Sequence, residues 1–102
     1  MVLGGCSCAG PLHNGHARGR RVPDETLPIT YRSYDYGRYA GAWWVKPPQP
    51  EGSDAIINLD NRWAVTEHED GTITVSPSIH MYANNQHPEW HGFLEAGVWR
   101  EC

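Results

Sequence analysis

The fold of this chain is decided by residues 63–76, which read WAVTEHEDGTITVS. Both arms of this segment alternate, with Trp63 and Val65 on one face of the first arm and Ile73 and Val75 on one face of the second. A period of two on either side of a turn ending in Asp-Gly is a strong short-range hairpin signal. The segment therefore predicts two antiparallel strands.

A second hairpin signal lies at the end of the sequence, where residues 90–94 and 98–102 flank the turn Glu95-Ala96-Gly97. Between the two hairpins, Pro77 to Tyr82 reads as a third extended piece, with Pro77 marking a strand start or a sheet edge. Earlier in the chain we expect short strands at about 30–36 and 42–46. Residues 54–60 fit either a short strand or one helical turn.

Composition agrees with a small β fold. The chain has 102 residues, 39% of them hydrophobic, with 11 glycines and 8 prolines, so we expect one domain with a thin core and many turns. No window shows the apolar spacing of an amphipathic helix. The prediction is an all-β, mainly antiparallel fold, built from hairpins as a small single sheet or a partly open barrel or sandwich. Residues 1–30 are expected to form an irregular arm, and residues 31–102 the β domain.

Charge and hydropathy restrict where the protein acts. A net charge of −4 gives no global attraction to nucleic acid or to an anionic membrane. No apolar run approaches the roughly 18 residues that a membrane span needs. Leu3-Gly4-Gly5-Cys6 resembles the tetrad at which bacterial lipoproteins are processed, but only five residues precede Cys6, so we interpret it as coincidence. We expect a protein of the host cytoplasm or of a virion that is not secreted.

The C-terminal half also resembles a known family. The matching segments are Trp63, Asp70-Gly71, the run from Thr74 to Ile79, Trp90-His91-Gly92-Phe93 and residues 95–98. This pattern is similar to a small, β-rich, poorly characterised family of bacteria and tailed phages whose members are often mislabelled as ammonia monooxygenase. The resemblance covers about residues 60–100 and implies a β fold and a phage or mobile-element origin. The family's usual cysteine before the strand histidine is Trp90 here.

A metal site is the first functional hypothesis. Soft and borderline ligands suited to tetrahedral Zn²⁺ are supplied by Cys6, Cys8, His13, His16, His91 and Cys102. A structural zinc would order a glycine-rich N-terminus, because metal binding supplies folding free energy. The alternative is that the cysteines are free thiols and the histidines are surface loop residues.

Catalysis has less support in the sequence. A metal hydrolase needs a carboxylate base close to the metal, and the local groupings of histidine with carboxylate are Glu89 with His91 and His68 with its neighbours. No nucleophile elbow, Walker loop, dinucleotide fingerprint or zinc-protease motif is present.

A binding surface is the third hypothesis. Aromatic rings and guanidinium groups bind proteins, nucleotides and single-stranded nucleic acids. Such side chains are frequent in residues 18–39, where the candidates are Tyr34, Tyr36, Tyr39, Arg18, Arg20, Arg21 and Arg38. The alternative for the rings is that a thin core needs them inside. These residues predict a contact with a protein partner or with another copy of the chain, with a nucleotide or nucleic acid as a weaker candidate.

From sequence, the interpretation is therefore a non-catalytic phage-type binding or assembly module, for example a capsid or tail component that makes protein–protein contacts. One alternative is a zinc-stapled accessory protein that binds a host protein or a nucleotide. A second alternative is a metal-dependent hydrolase.

Overall fold

The computed structural model describes residues 16–48, 55–82 and 89–101. Nine strands and a short 3₁₀ turn at Pro28–Thr30 make up its regular structure. The strands are β1 (His16–Arg18), β2 (Arg20–Arg21), β3 (Asp35–Tyr39), β4 (Ala42–Val45), β5 (Ile57–Leu59), β6 (Ala64–Glu67), β7 (Ile73–Met81), β8 (Trp90–Glu95) and β9 (Val98–Glu101). The prediction of an all-β fold is confirmed.

The strands form two sheets. The larger sheet has the order β1-β9-β8-β7-β6, and the smaller has the order β2-β3-β4-β5. All neighbours pair antiparallel except β2 and β3, which pair parallel. Both predicted hairpins are present: β6 pairs with β7 in the register Val65↔Val75, and β8 pairs with β9 in the register Leu94↔Trp99. The predicted third extended piece is the second half of β7.

The core lies between the two sheets. The smaller sheet contributes Tyr36, Val45 and Leu59, and the larger contributes Ile73, Val75, Ile79, Trp90, Leu94 and Trp99. The inward face of β7 and β8 follows the period of two, since residues 73, 75, 79 and 81 and residues 90, 92 and 94 are buried. Facing sheets that bury alternate residues in this way form a sandwich. The intervening residues of β7 and β8 are left on the outer face.

The chain passes from one sheet to the other at Gly19. Its N–H donates to the carbonyl of Gly97 (2.7 Å), and a Cβ at this position would lie 2.9 Å from both Trp99 Nε1 and the Tyr34 carbonyl oxygen. The same indole nitrogen donates to that carbonyl at 2.9 Å. Glycine therefore lets the chain pass close to this hydrogen bond between Trp99 of the larger sheet and Tyr34, which precedes β3 of the smaller sheet.

Residues 16–30 differ from the expected irregular arm. His16–Arg18 pairs with β9, and Arg20–Arg21 pairs with β3. These strands are too short to leave a pattern in the sequence, and their partners come from distant parts of the chain. The expected strand near 30–36 lies at Asp35–Tyr39, and the ambiguous 54–60 segment contains β5.

Candidate functional site

The outer face of β7 and β8 brings a serine and two histidines together. Ser78 and His80 alternate with buried residues on β7, and His91 alternates with buried residues on β8. The register places His80 directly opposite His91. Between Val75 and Ile79 the pairing shifts, and the Ser76–Pro77 peptide is cis.

Ser78 and His91 are hydrogen-bonded across the two strands. The distance from Ser78 Oγ to His91 Nε2 is 2.8 Å, and the contact is partly buried. When Nε2 is the unprotonated ring nitrogen, the serine hydroxyl donates to it. A hydroxyl that donates to a neutral imidazole is the arrangement by which a histidine activates a serine nucleophile. Within the described ranges, Ser78 is the serine that contacts a histidine.

His80 and Glu89 extend this pair. The His80 ring stacks on the His91 ring, with centroids 4.5 Å apart and planes 17° apart. Its Nε2 lies 2.5 Å from Glu89 Oε2. The stack limits the orientations available to the His91 ring. The Glu89 carboxylate in turn holds the His80 ring in place through Nε2.

The surroundings favour the neutral form of His91. Its pKa is lowered from the usual 6.5, first because burial disfavours the charged ring and then because His80 lies close, while Glu89 acts in the opposite direction. A histidine with a lowered pKa is unprotonated at neutral pH and can accept a proton. The electrostatics therefore suit a general base.

Aromatic and charged side chains surround the pair on the same face. The His80 ring also contacts Tyr82, with centroids 4.1 Å apart, and Tyr82 is 72% exposed. On the other side, Phe93 lies 6.5 Å from the His91 ring and carries the Arg100 guanidinium 4.4 Å above its own ring centre. These rings form a row on the face that carries Ser78.

A second contact between a hydroxyl and an imidazole has a different character. His68 Nε2 lies 2.7 Å from Thr74 Oγ1, but that hydroxyl oxygen also accepts the main-chain N–H of Ala96 at 2.9 Å. Thr74 thus fastens the β8–β9 turn to β7. We assign this contact to the fold.

The predicted metal ligands are mostly not placed together. Cys6, Cys8, His13 and Cys102 lie outside the described residues, and only the backbone of His16 is described, in β1. The structure gives the sixth candidate, His91, a serine partner. Among residues 16–48, 55–82 and 89–101, no group of three histidine, cysteine, aspartate or glutamate side chains is placed to hold a metal ion. The zinc site stays a prediction.

The predicted binding residues are dispersed. Tyr36 is 1% exposed and belongs to the core, whereas Tyr34 is 38% exposed and Tyr39 is half-buried. Arg20 binds the buried Asp35 carboxylate in a bidentate pair at 2.9 and 2.8 Å. Arg18 is exposed, Arg21 bonds Asp24 and Glu67, and Arg38 lies over the Trp43 ring.

Comparison with known families identifies the group to which the chain is related. A family model described as BubE, a bacterial ubiquitination-like system serine protease, matches residues 20–102. The chain belongs to the BubE family. No curated protein and no solved structure matches it. The match includes every residue of the serine–histidine site.

The BubE match corrects the sequence-based function. The interpretation as a non-catalytic phage capsid or tail module is wrong, because the family is one of bacterial serine proteases. The broader prediction of a protein partner is confirmed, since the family is described as part of a ubiquitination-like system. No helix in the described part of the chain is long and apolar enough to cross a membrane.

Sequence reasoning missed Ser78, although the residue stands in the quoted run from Thr74 to Ile79. In the sequence that run matches a family pattern and His91 is a candidate zinc ligand, so neither residue points to the other. Alternation places Ser78 on the same face as His80, and a serine facing a histidine on the next strand was the signal that could have revealed the pair.

Proposed function

We propose that this chain is a serine protease that cleaves a peptide or isopeptide bond formed by a ubiquitin-like protein. Ser78 is the nucleophile and His91 is the general base. The observation that carries the proposal is the 2.8 Å contact between Ser78 Oγ and His91 Nε2. The BubE match over residues 20–102 supports the reaction class and the kind of substrate.

The first half of the reaction forms an acyl-enzyme. Ser78 Oγ attacks the carbonyl carbon of the scissile bond while His91 Nε2 takes the hydroxyl proton. The tetrahedral intermediate collapses, the carbon–nitrogen bond breaks, and the His91 imidazolium gives its proton to the leaving nitrogen. The acyl group stays on Ser78 as an ester.

The second half of the reaction releases the acyl group. A water molecule attacks the ester carbonyl and gives a proton to His91. As the ester bond breaks, the proton returns to Ser78 Oγ, which restores the starting state and releases a carboxylic acid. In each half of the reaction, His91 Nε2 accepts one proton and then gives it up.

His80 and Glu89 are positioning residues in this mechanism. The His80 ring packs on His91 at 4.5 Å, which keeps Nε2 directed at Ser78. The Glu89 carboxylate favours the protonated form of His91, so it stabilises the imidazolium that forms when Ser78 attacks. Burial acts in the opposite direction, because it lowers the pKa of His91 and keeps the ring neutral before the reaction begins.

The test is turnover of a defined substrate. The substrate is a ubiquitin-like protein of such a bacterial system, fused through its C-terminus to a fluorescent protein. We expect the wild-type chain to release the fluorescent protein. Ser78→Ala and His91→Gln should lose roughly a thousandfold or more in kcat/KM.

Matched controls separate the site from the fold. Ser76→Ala changes an exposed serine on the same strand, and His68→Gln changes the histidine that contacts Thr74 rather than Ser78. Both should keep turnover within about threefold, since neither touches the proposed nucleophile. Undiminished turnover by a folded Ser78→Ala protein would refute the proposal.

A further inference from the structure

The strand that carries Ser78 extends beyond its neighbour on one side. β6 pairs only with Ile73–Ser76 of β7. Before β6 the chain turns, with the N–H of Trp63 bonded to the carbonyl of Asp60 at 3.1 Å. In the described part of the chain, residues 78–81 therefore have a strand partner on the β8 side alone.

Three hydrogen bonds show which main-chain groups of this strand point to that edge. The carbonyl of Ile73 accepts the N–H of Gly97, on the β8 side. The carbonyl of Thr72 accepts the N–H of His68, on the β6 side. The carbonyl of Ser78 accepts Trp63 Nε1 at 3.2 Å, again on the β6 side. Even-numbered residues thus direct their main-chain groups away from β8.

The same alternation applies past Ser78. Successive residues of a strand direct their N–H and C=O groups to opposite sides, so those of His80 face the open edge. The N–H of Tyr82 follows in the same direction. By the same alternation, Ile79 and Met81, which stand opposite Gly92 and Trp90, direct their main-chain groups to the β8 side. A row of main-chain donors and acceptors therefore begins beside the nucleophile and continues to Tyr82.

We propose that the substrate polypeptide binds as an added β-strand along this edge of β7, from Ser78 to Tyr82. The proposal rests on the proposed function, because the occupant is the chain whose carbonyl Ser78 attacks. An extended segment paired with His80 and Tyr82 leads directly to Ser78, and main-chain pairing of this kind is a general mode of peptide recognition. The exposed Tyr82 ring stands on the outer face beside it, as a cross-strand neighbour of a substrate side chain.

The probes are peptidyl diphenyl phosphonates, which react when Ser78 Oγ bonds to phosphorus and phenol leaves with the proton. One probe carries a single acylated alanine phosphonate, and the second extends it with further alanines. Main-chain hydrogen bonds add roughly a factor of five to ten each. We expect the extended probe to react at least tenfold faster.

N-methylation of the extended probe tests the strand pairing itself. A paired strand donates every second N–H to its neighbour. Methylation of those N–H groups should remove the faster reaction of the extended probe, whereas methylation of the N–H groups between them should not. Equal effects at all positions would overturn the proposal, and so would no gain from extension.

Variants of Tyr82 provide the test on the protein side. Tyr82→Ala removes the ring, whereas Tyr82→Pro also removes the main-chain N–H that faces the edge, at a place where a strand tolerates proline. The gain is the ratio of the reaction rate of the extended probe to that of the single-residue probe. This ratio should be at least threefold lower in the proline variant than in the alanine variant. Equal gains in the two variants would contradict main-chain pairing at this residue.

A small fluorophosphonate distinguishes this proposal from the proposed function. It carries no peptide, so it should react at the same rate with Tyr82→Ala and Tyr82→Pro, since both variants lose the ring that contacts His80. Reaction of this reagent at Ser78 without any advantage for extended probes would leave the protease intact and refute strand addition. Absence of its reaction at Ser78 would refute both.

Discussion

The rings of His80 and His91 stack face to face at opposed positions of neighbouring strands, with centroids 4.5 Å apart. The stack places the proposed base between Ser78, which it bonds, and a second imidazole that binds Glu89. Protonating His91 therefore brings a positive ring against another titratable ring. Together with the burial of His91, this relationship lowers the pKa of the proposed base.

The rate of Ser78 modification should fall as pH falls, with a midpoint below 6.5. Burial and the neighbouring His80 lower the pKa of His91 from that value, so the neutral ring that accepts the proton persists to lower pH than in an ordinary histidine. The measurement is the rate constant of fluorophosphonate labelling between pH 4.5 and 8. A midpoint above 6.5 would contradict the assignment.

Stability should follow the same titration. Well above pH 6.5, the ordinary pKa of histidine, His91 is neutral in both folded and unfolded chains and contributes no pH dependence. Below that pH the unfolded chain binds the proton more readily, so the free energy of unfolding decreases as pH falls. Urea unfolding of wild type and His91→Gln should show a smaller decrease in the variant between pH 7 and 5.

Glu89→Gln should lower kcat by up to about tenfold, because an exposed carboxylate near the imidazolium contributes on the order of 1 kcal/mol. The effect should shrink in high salt, since Glu89 is 58% exposed and solvent ions screen such charges. Glu95→Gln is the control, because Glu95 is the last residue of β8, the strand that follows Glu89, but pairs with Arg100. An equal loss of kcat in Glu89→Gln and Glu95→Gln would contradict a role for Glu89 in the mechanism.

Arg21→Ala should destabilise the fold by about 1–3 kcal/mol. The Arg21 guanidinium bonds Glu67 and the carbonyl of Gly71 at 3.1 and 2.7 Å, and so links β2 of the smaller sheet to the β6–β7 hairpin of the larger. Arg62→Ala is the control, because its pair with Asp60 is exposed on both sides and such pairs contribute little. Urea unfolding should separate the two variants, and equal stability of Arg21→Ala and wild type would contradict the proposed link between sheets.

A chelator should leave the labelling of Ser78 unchanged. In the serine mechanism the proton of the nucleophile passes to His91, and no step requires a metal ion. Labelling rates measured before and after dialysis against EDTA should agree within about twofold. A large loss that added zinc restores would show that the reaction depends on a metal.

The sequence predicted the parts of the fold that local pattern controls. Alternation around Asp70-Gly71 and the turn at Glu95-Ala96-Gly97 predict two hairpins, and both are found, with Ile73 and Val75 of the first buried on one face. β1 and β2 escaped prediction because segments of three and two residues carry no period. Their strand conformation comes from pairing with β9 and β3, which are distant in sequence.

The site was less accessible from sequence for a related reason. Ser78 and His91 are thirteen residues apart, and the shift in pairing between Val75 and Ile79 decides which residue of β8 faces which residue of β7. Alternation alone gives the face on which a side chain lies, not its partner across the strands. Closeness in sequence groups Glu89 with His91, whereas in the structure Glu89 bonds His80 on the neighbouring strand.

The most direct test of the central claim is identification of the residue that a fluorophosphonate modifies. Intact-mass spectrometry and peptide mapping of the treated protein should show a single adduct on Ser78. The adduct should be absent in Ser78→Ala, strongly slowed in His91→Gln and retained in Ser76→Ala. An adduct on another residue, or one that persists in Ser78→Ala, would contradict the account.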